Sequence, residues 1–334
     1  MNENNSHKIS IIIPCLNGSE YIEELYTSLS NQTYQNFNVI FINSITESSF
    51  KTTEIIKKFL NIDTEVISTE PLPPGGARNL GVTFAETELI GFLDMRTIPR
   101  IDWLQQSINL LNEKKLNLIT GSFVCRSKTK FQTFVQAATF GNMPANSLPG
   151  SIIKKNTFEE IGGFVSEARA GEDQEWLTRA KQIIPNIGIL KLPTIEYIGL
   201  PESSVELFKK WFFYSLENAS IEVAQSQKTA YFFVISLLFI YFFFNWNYIF
   251  TNDEWDQSPY FIPHINKIIW SIFFFIYFLF RGIIFPYQKG VKLNFIFPFN
   301  WFGLIIACII IDISKIPGRV LGYIYFLKTK YLTN

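Results

Sequence analysis

The chain has 334 residues, and its formal net charge is zero because 29 basic side chains balance 29 acidic ones. This length is enough for one large or two ordinary domains. The lack of net charge provides no overall field that would attract nucleic acid, so no nucleic-acid partner is expected. There are two histidines, His7 and His264, and three widely spaced cysteines without a CxxC motif. A histidine base, a zinc site and a disulfide framework are therefore not expected.

The first part of the chain alternates between short apolar strands and helices. Strands are predicted at 9–14, 37–43, 64–68 and 89–93, with helices that begin near Ser19, at 52–60 and within 71–86. Near-continuous apolar strands joined by helices are typical of a parallel sheet covered on both faces. The sequence therefore predicts an α/β fold with a mainly parallel sheet.

In open sheets of this kind, ligands bind beyond the carboxyl ends of the strands. Polar or conformationally special residues lie at or just after such ends, or in the loops between strands: Pro14, Asn17, Asn43, Arg78 and Asp94. We therefore expect these residues to line one crevice.

The next hundred residues show a less regular pattern. They contain a helix after Asp102, a strand at 116–125, a loop rich in Gly, Asn and Pro at 141–150, and a helix at 171–183. We place the end of this soluble domain at residue 202 and treat residues 1–8 as a polar tail.

Residues 203–228 predict an amphipathic helix. Its apolar residues recur at intervals of three and four positions, namely Val205, Phe208, Phe212, Leu216, Ala219 and Val223. Lys209 and Lys210 beside a Trp-Phe-Phe run suit a membrane interface. The same pattern also fits an ordinary helix that packs on its own domain.

The C-terminal part is rich in phenylalanine and predicts membrane helices. Residues 229–250 form a 22-residue run without a charge, and 268–287 form a second apolar run. We therefore predict two transmembrane helices within 229–287. Arg281 lies near one end of the second run, where its side chain would reach the headgroups.

A third apolar run, 295–311, is shorter and contains Pro298 and Gly303. We expect a re-entrant, interfacial or transmembrane segment and a basic tail within 288–334. The loop at 251–266 has three acids and no Lys or Arg, so it should face outward. The positive-inside rule then predicts a multi-pass protein of the cell membrane with a cytoplasmic soluble domain.

Several motifs occur in an informative order: PCLNGSEYIEELYTSLSNQTY, PGGARNLG, FLDMRTIPRIDWL, FEEIGGF and GEDQEW. Their order and spacing resemble the inverting glycosyltransferases of family 2, over about residues 9–200. The resemblance implies a GT-A nucleotide-sugar-binding domain at 9–202, Rossmann-like, with a mixed, mainly parallel sheet, followed by an α-helical membrane region. The chain has no GxGxxG at the first strand and no GxxxxGK[ST], so a Rossmann dehydrogenase and a P-loop NTPase are not supported.

The resemblance also implies roles for individual residues. The donor-binding residues would be Pro14, Asn17, Asn43, Gly76, Arg78, Asn79, Asp94 and Arg96. Arg78 alternatively makes an ordinary surface ion pair, and the glycines after PLPP alternatively form a turn.

Asp173 is the candidate general base that takes the proton of the acceptor hydroxyl, and Glu172 would orient it or tune its pKa. The alternative is structural, since acids in the first turn of a helix are favoured by the helix dipole alone.

A divalent cation, Mg²⁺ or Mn²⁺, is implied by the family, with Asp94 as its ligand. Three departures put tight metal binding in doubt. Arg96 and Thr97 stand where acids are usual, Asn43-Ser44 stands for an Asp-Asp pair, and EYIGLP at 196–201 lacks a histidine. We expect Arg96 to supply positive charge itself, with Asp94 holding the ribose or Arg96; alternatively, Arg96 forms a surface ion pair.

The leading hypothesis is a membrane-anchored transferase that moves a sugar, with inversion, from a nucleotide donor, with UDP-sugars favoured, to a lipid-linked or polysaccharide acceptor. The acceptor would dock at loop 141–150 and helix 203–224. The alternative is a catalytically inactive GT-A membrane protein that acts as a scaffold in surface-glycan assembly. A transporter is disfavoured, because Arg281 is the single charge embedded in the predicted spans.

Overall fold

The computed structural model describes residues 8–16, 18–45, 49–220 and 264–332. The chain divides into two compact units. The first comprises Met1–Gln132 and Asn142–Leu200, and the second comprises Thr133–Gly141 and Pro201–Asn334.

The first unit is built around one mixed sheet. Its strands are β1 (Ile9–Cys15), β2 (Phe37–Ser44), β3 (Thr64–Thr69), β4 (Leu89–Phe92), β5 (Thr97–Pro99), β6 (Leu118–Cys125), β7 (Ala145–Lys154), β8 (Gly188–Ile189) and β9 (Ile195–Tyr197). The strand order is β3-β2-β1-β4-β7-β6-β9-β5, with β8 beside β6. Strands β1 to β4 pair in parallel, and β7 runs antiparallel to both β4 and β6. The mixed, mainly parallel sheet predicted from the sequence is confirmed.

Helices cover both faces of this sheet. They are α1 (Ser19–Ser30), α2 (Ser49–Ile56), α3 (Pro74–Phe84), α4 (Trp103–Lys114), α6 (Lys155–Ile161) and α7 (Glu172–Ile183). Helix α5 (Lys130–Thr139) lies mostly in the second unit. Because side chains alternate along a strand, Ile11 of β1 packs in one core with α1 and α4, while Ile12 packs in another with α3, α6 and α7. Both faces are therefore buried, which explains why the strands are apolar almost throughout.

The predicted loop at 141–150 is wrong from residue 145 onward. Residues Ala145–Lys154 form β7, whose central part is buried between β4 and β6. Gly150 has a positive φ of 87°, and the register with β6 shifts between Ile119 and Gly121. Pro149 and Gly150, which usually form turns, lie within this strand because the shift in register requires an irregular backbone there.

The second unit is helical. Its described helices after α5 are α8 (Ser204–Ser220), α9 (His264–Leu279), a π-helix (Phe280–Ile284), α10 (Phe285–Gln288), α11 (Leu293–Ile296) and α12 (Asn300–Leu332). Helix α8 packs along α12. A Cβ at Gly318 or Gly322 would lie 2.4 and 2.2 Å from carbonyl oxygens of α8. These two glycines, four positions apart, therefore permit close contact between the two backbones.

Helix α8 buries a different stripe from the one that the sequence predicted. The buried residues are Leu207, Trp211, Ser215 and Ala219, whereas Val205 and Phe208 are 63% and 39% exposed. Ala219 belongs to both stripes, and Phe212 and Leu216 are half-buried, so the predicted apolar face is open only at its start. Val223 lies outside the described residues.

One helical stretch in the described part of the chain, Ser271–Gln288, is long and apolar enough to cross a membrane. The predicted span at 229–250 lies outside the described residues. The predicted outward reach of Arg281 is wrong. Its side chain is 12% exposed, and its Nε lies 2.7 Å from Oδ2 of Asp312 on α12, because that carboxylate offers a nearer partner.

Candidate active site

The carboxyl ends of β1, β2 and β4 lie side by side and define the edge that carries the candidate site. Pro14 is half-buried within β1 opposite Ile42, and Cys15 is opposite Asn43. Asn43 is 2% exposed, and its Nδ2 donates to Oγ1 of Thr53 at 3.3 Å. Asn17 lies outside the described residues.

Arg78 links two elements of the edge through its guanidinium. This side chain is 3% exposed; Nη2 donates to Oδ1 of Asp94 at 2.7 Å and Nη1 to Oε1 of Glu172 at 2.9 Å. The ring of Phe164 lies 5.6 Å from the guanidinium carbon. Burial by itself lowers the pKa of Arg78, but the two carboxylates raise it above its ordinary value, so the cation is retained. The surface ion pair considered for Arg78 is wrong, because both terminal nitrogens point into the protein.

Helix α7 begins at Glu172 and brings a second carboxylate to the same place. Glu172 is 6% exposed, whereas Asp173 is half-buried. Burial raises the pKa of Glu172 above its ordinary value, against the opposite effect of Arg78. Asp173 adds its negative charge to the field on both Arg78 and Glu172. Arg78, Asp94, Glu172 and Asp173, which are distant in sequence, therefore form one charged cluster.

Asn79 is used by the protein itself rather than left open to a ligand. Its Nδ2 donates to the carbonyl of Phe164 at 2.8 Å and to Oγ of Ser166 at 3.1 Å, and its Oδ1 accepts the Phe164 N–H at 2.8 Å. These contacts hold the GGF loop on α3. Asn79 therefore has a structural role, and its predicted contact with the donor stays a prediction.

Gly75 and Gly76 lie in the first turn of α3 and do not form a separate turn. A Cβ on Gly75 would lie 2.3 Å from the carbonyl oxygen of Val165, and one on Gly76 would lie 3.2 Å from that of Ser166. The close approach that these glycines permit is to the loop that precedes α7. The approach to a ligand that was predicted for Gly76 stays a prediction.

Asp94 and Thr97 form a tight turn after β4. The Thr97 hydroxyl donates to the carbonyl of Asp94 at 2.6 Å, and the Asp94 carboxylate pairs with Arg78 while its side chain stays 38% exposed. The described residues contain no group of three or more His, Cys, Asp or Glu side chains that could hold a metal ion. The charge of Asp94 is already balanced by Arg78, so the described residues offer no preformed metal site and do not support the one predicted at Asp94.

Arg96 is exposed and is held by three residues that the sequence did not identify. Its guanidinium carbon lies 5.2 Å from the ring centroid of Tyr21. The Tyr197 hydroxyl is hydrogen-bonded to Arg96 and donates to the carbonyl of Gly199 at 2.9 Å. A Cβ at Gly199 would lie 2.3 Å from Cδ of Arg96. Tyr197 lies in the EYIGLP stretch, in which the family pattern implies a histidine. That departure is the sequence feature that pointed to this part of the site.

Burial raises the pKa of Tyr197 to about 12, although Arg96 acts in the opposite direction. The phenol is therefore neutral at physiological pH and does not cancel the charge of Arg96.

Comparison with known proteins adds evidence for the first unit. Residues 10–171 match the family model described as Glycosyl transferase family 2, and this match ends immediately before Glu172 and Asp173. An uncharacterized glycosyltransferase of Haemophilus influenzae is 31% identical over 118 residues, which cover 34% of this chain and 46% of that protein. The poly(ribitol-phosphate) beta-N-acetylglucosaminyltransferase TarS of Staphylococcus aureus is 25% identical over 197 residues, which cover 55% of this chain and 34% of that protein.

A solved structure of S. aureus TarS 1–349 in complex with UDP-GlcNAc aligns with a TM-score of 0.46 and 18% identity, covering 66% of this chain and 69% of that one. The chain spans less than half the length of the two relatives named above, 46% and 34% respectively.

Proposed function

We propose that this protein, whose residues 10–171 match the glycosyltransferase family 2 model, is a member of that family and transfers a sugar from a nucleotide-sugar donor to a hydroxyl acceptor with inversion. The observation that carries the proposal is the charged cluster beyond the strand ends. Arg78 joins Asp94, at the end of β4, to Glu172, at the start of α7. The donor would lie across β1, β2 and β4, near Pro14, Asn17 and Asn43.

Asp173 is the proposed general base. The acceptor hydroxyl oxygen attacks the anomeric carbon, the bond from that carbon to the diphosphate oxygen breaks, and the diphosphate leaves with the electron pair. The acceptor proton passes to the carboxylate of Asp173. This side chain is half-buried in the first turn of α7, where an acceptor hydroxyl can reach it.

Arg78 and Glu172 are proposed as positioning residues. The buried ion pair joins α7 to α3, and through Asp94 it joins both to β4. The base and the donor edge of the sheet are thereby kept at a constant separation. Asn79 supports the same arrangement, because it holds the loop that leads into α7. Preorganised charges of this kind need little rearrangement when the transition state forms.

Donor and acceptor are proposed by class. The family resemblance favours a UDP-sugar. The acceptor is proposed to be a glycan or lipid-linked molecule, which accords with the similarity to TarS, a poly(ribitol-phosphate) beta-N-acetylglucosaminyltransferase. A panel of nucleoside diphosphates in a thermal-shift assay would identify the base, since ligands that bind the folded state raise its melting temperature.

We also propose that the helical unit anchors the protein in the cell membrane, with more than one span and a cytoplasmic catalytic domain. The stretch Ser271–Gln288 supports an anchor, as do exposed apolar side chains on α9 and α12 such as Phe275 (67%) and Phe302 (64%). Exposed apolar surface of this extent is typical of a membrane contact. The pairing of Arg281 with Asp312 is what a charge within such a unit requires.

The test is transfer or hydrolysis of a radiolabelled nucleotide sugar by the purified full chain and by Asp173→Asn. We expect the variant to lose roughly 100-fold or more of the activity with an unchanged melting temperature. Asp63→Asn is the matched control, since Asp63 is an exposed acid paired with Lys8 outside the cluster. Full activity in Asp173→Asn would refute the assignment of the base. No turnover by the wild type with any donor would favour the scaffold alternative.

A further inference from the structure

We propose that Arg96 takes the place of a divalent cation at the donor diphosphate, so that this chain binds a nucleoside diphosphate without a metal ion. The inference rests on the proposed function and concerns the same site. It starts from two observations: the acids at this edge do not form a metal site, and a cation is built in beside them.

The carboxylate of Asp94, which remains at this edge of the sheet, already forms an ion pair within the protein. Asp94 accepts a hydrogen bond from Arg78 at 2.7 Å. Thr97, at a position where an acid was expected, is 1% exposed and uses its hydroxyl in the turn with Asp94. A metal ion here would have to share the Asp94 carboxylate with the Arg78 guanidinium, whose positive charge already lies 2.7 Å from Oδ1.

Arg96 is held open to solvent by its neighbours. Gly199 leaves room for the side-chain stem, as a Cβ there would lie 2.3 Å from Cδ of Arg96. The Tyr197 hydroxyl donates a hydrogen bond to the Gly199 carbonyl at 2.9 Å and accepts one from the Arg96 guanidinium. The Tyr21 ring lies 5.2 Å away and supports one face of the cation. These contacts order Arg96 before a ligand arrives, which lowers the entropic cost of binding.

Replacing an acid and its divalent cation with Arg96 also keeps the net charge of the site. A carboxylate together with a divalent cation contributes one net positive charge, which is the charge of a single guanidinium. A guanidinium can in addition donate two parallel hydrogen bonds to phosphate oxygens. Arg96 therefore offers the leaving diphosphate the same net charge, with fixed donor geometry, without a dissociable ion.

The test is isothermal titration calorimetry of the detergent-solubilised full chain, dialysed against EDTA, with UDP, GDP and dTDP and the matching monophosphates. The titrations are repeated with added Mn²⁺. We expect one diphosphate to bind in EDTA with an affinity within about 3-fold of that in Mn²⁺.

Arg96→Ala should weaken diphosphate binding roughly 10- to 100-fold and monophosphate binding by less than about 3-fold, because a charged hydrogen bond to the terminal phosphate is lost. Arg96→Gln keeps a polar side chain of similar length and serves if Arg96→Ala does not fold. Lys128→Ala removes one positive charge from a 55% exposed side chain near Glu24 and should bind like the wild type.

Three results would overturn the inference. Diphosphate binding by the wild type only in Mn²⁺ would overturn it and leave the proposed function standing. Diphosphate binding with wild-type affinity by both Arg96 variants would also overturn the inference and leave the proposed function standing. If no nucleoside diphosphate bound in EDTA or in Mn²⁺, the inference and the proposed function would fail together.

Discussion

The buried ion pair between Arg78 and Glu172 yields the sharpest prediction for stability. We consider Arg78→Met, which keeps an unbranched side chain of similar length but removes the charge. In the wild type the two side chains are 3% and 6% exposed, and their atoms lie 2.9 Å apart. After the substitution, the Glu172 carboxylate remains buried between α3 and α7 without its partner.

The magnitude follows from the burial of each partner. Removing one member of a buried pair costs about 3–5 kcal/mol, because an uncompensated charge stays behind. The contact with Asp94 adds at most about 1 kcal/mol, since that side chain is 38% exposed and water screens it. We therefore expect Arg78→Met to lower the free energy of unfolding by about 4 kcal/mol. Glu172→Gln alone should cost only about 1–2 kcal/mol, because its amide oxygen still accepts from Arg78.

The double variant Arg78→Met/Glu172→Gln has no buried charge left and should be less destabilised than Arg78→Met alone. Urea unfolding of the four proteins, followed by intrinsic fluorescence, closes a double-mutant cycle. We expect a coupling free energy of at least about 2 kcal/mol. A loss below about 1 kcal/mol in Arg78→Met, or strict additivity in the cycle, would refute the reasoning.

Two further predictions concern the loop and the edge around this cluster. Asn79→Ala should lower the free energy of unfolding by about 2–3 kcal/mol, because the Phe164 N–H and carbonyl lose their partner; urea unfolding measures it. Between pH 10 and 12, Tyr197 keeps its proton in the folded state with a pKa of about 12 but loses it in the unfolded chain. The wild type should therefore lose up to about 2–3 kcal/mol of stability over this range, and Tyr197→Phe should lose less by about that amount.

Both predictions have clear contrary outcomes. If Asn79→Ala raised the KM for the donor while leaving stability unchanged, Asn79 would be a donor ligand, as the sequence had suggested. Asn79→Asp keeps the acceptor oxygen but puts a carboxylate oxygen against the Phe164 carbonyl, to which Nδ2 now donates, so it should not restore stability. For the pH series, parallel stability curves of Tyr197→Phe and the wild type above pH 10 would show that Tyr197 ionises normally. Tyr34→Phe is a comparison at a half-buried tyrosine whose pKa burial also raises, so it should flatten the curve in the same direction but by less.

Strands β1, β2 and β4 could be read from the sequence, because each is an apolar run and strands buried on both faces require apolar residues throughout. β7 could not be read in this way. Its Pro149 and Gly150 are turn-forming residues in isolation, yet here they lie within a buried strand beside a shift in register. Likewise, the spacing of apolar residues in α8 did not reveal that Leu207 and Trp211 are buried, because that depends on how α8 packs on α12.

The sequence by itself determined which chemical groups this protein places after its strands: two arginines, Arg78 and Arg96, and the acids Asp94, Glu172 and Asp173. Local motifs suffice for that, since order and spacing along the chain decide which residue follows which strand. Only the tertiary structure decided that Arg78 becomes a buried link while Arg96 stays an exposed cation. The physical reason is that an ion pair between residues 94 positions apart forms only when α3 and α7 pack against the same edge of the sheet.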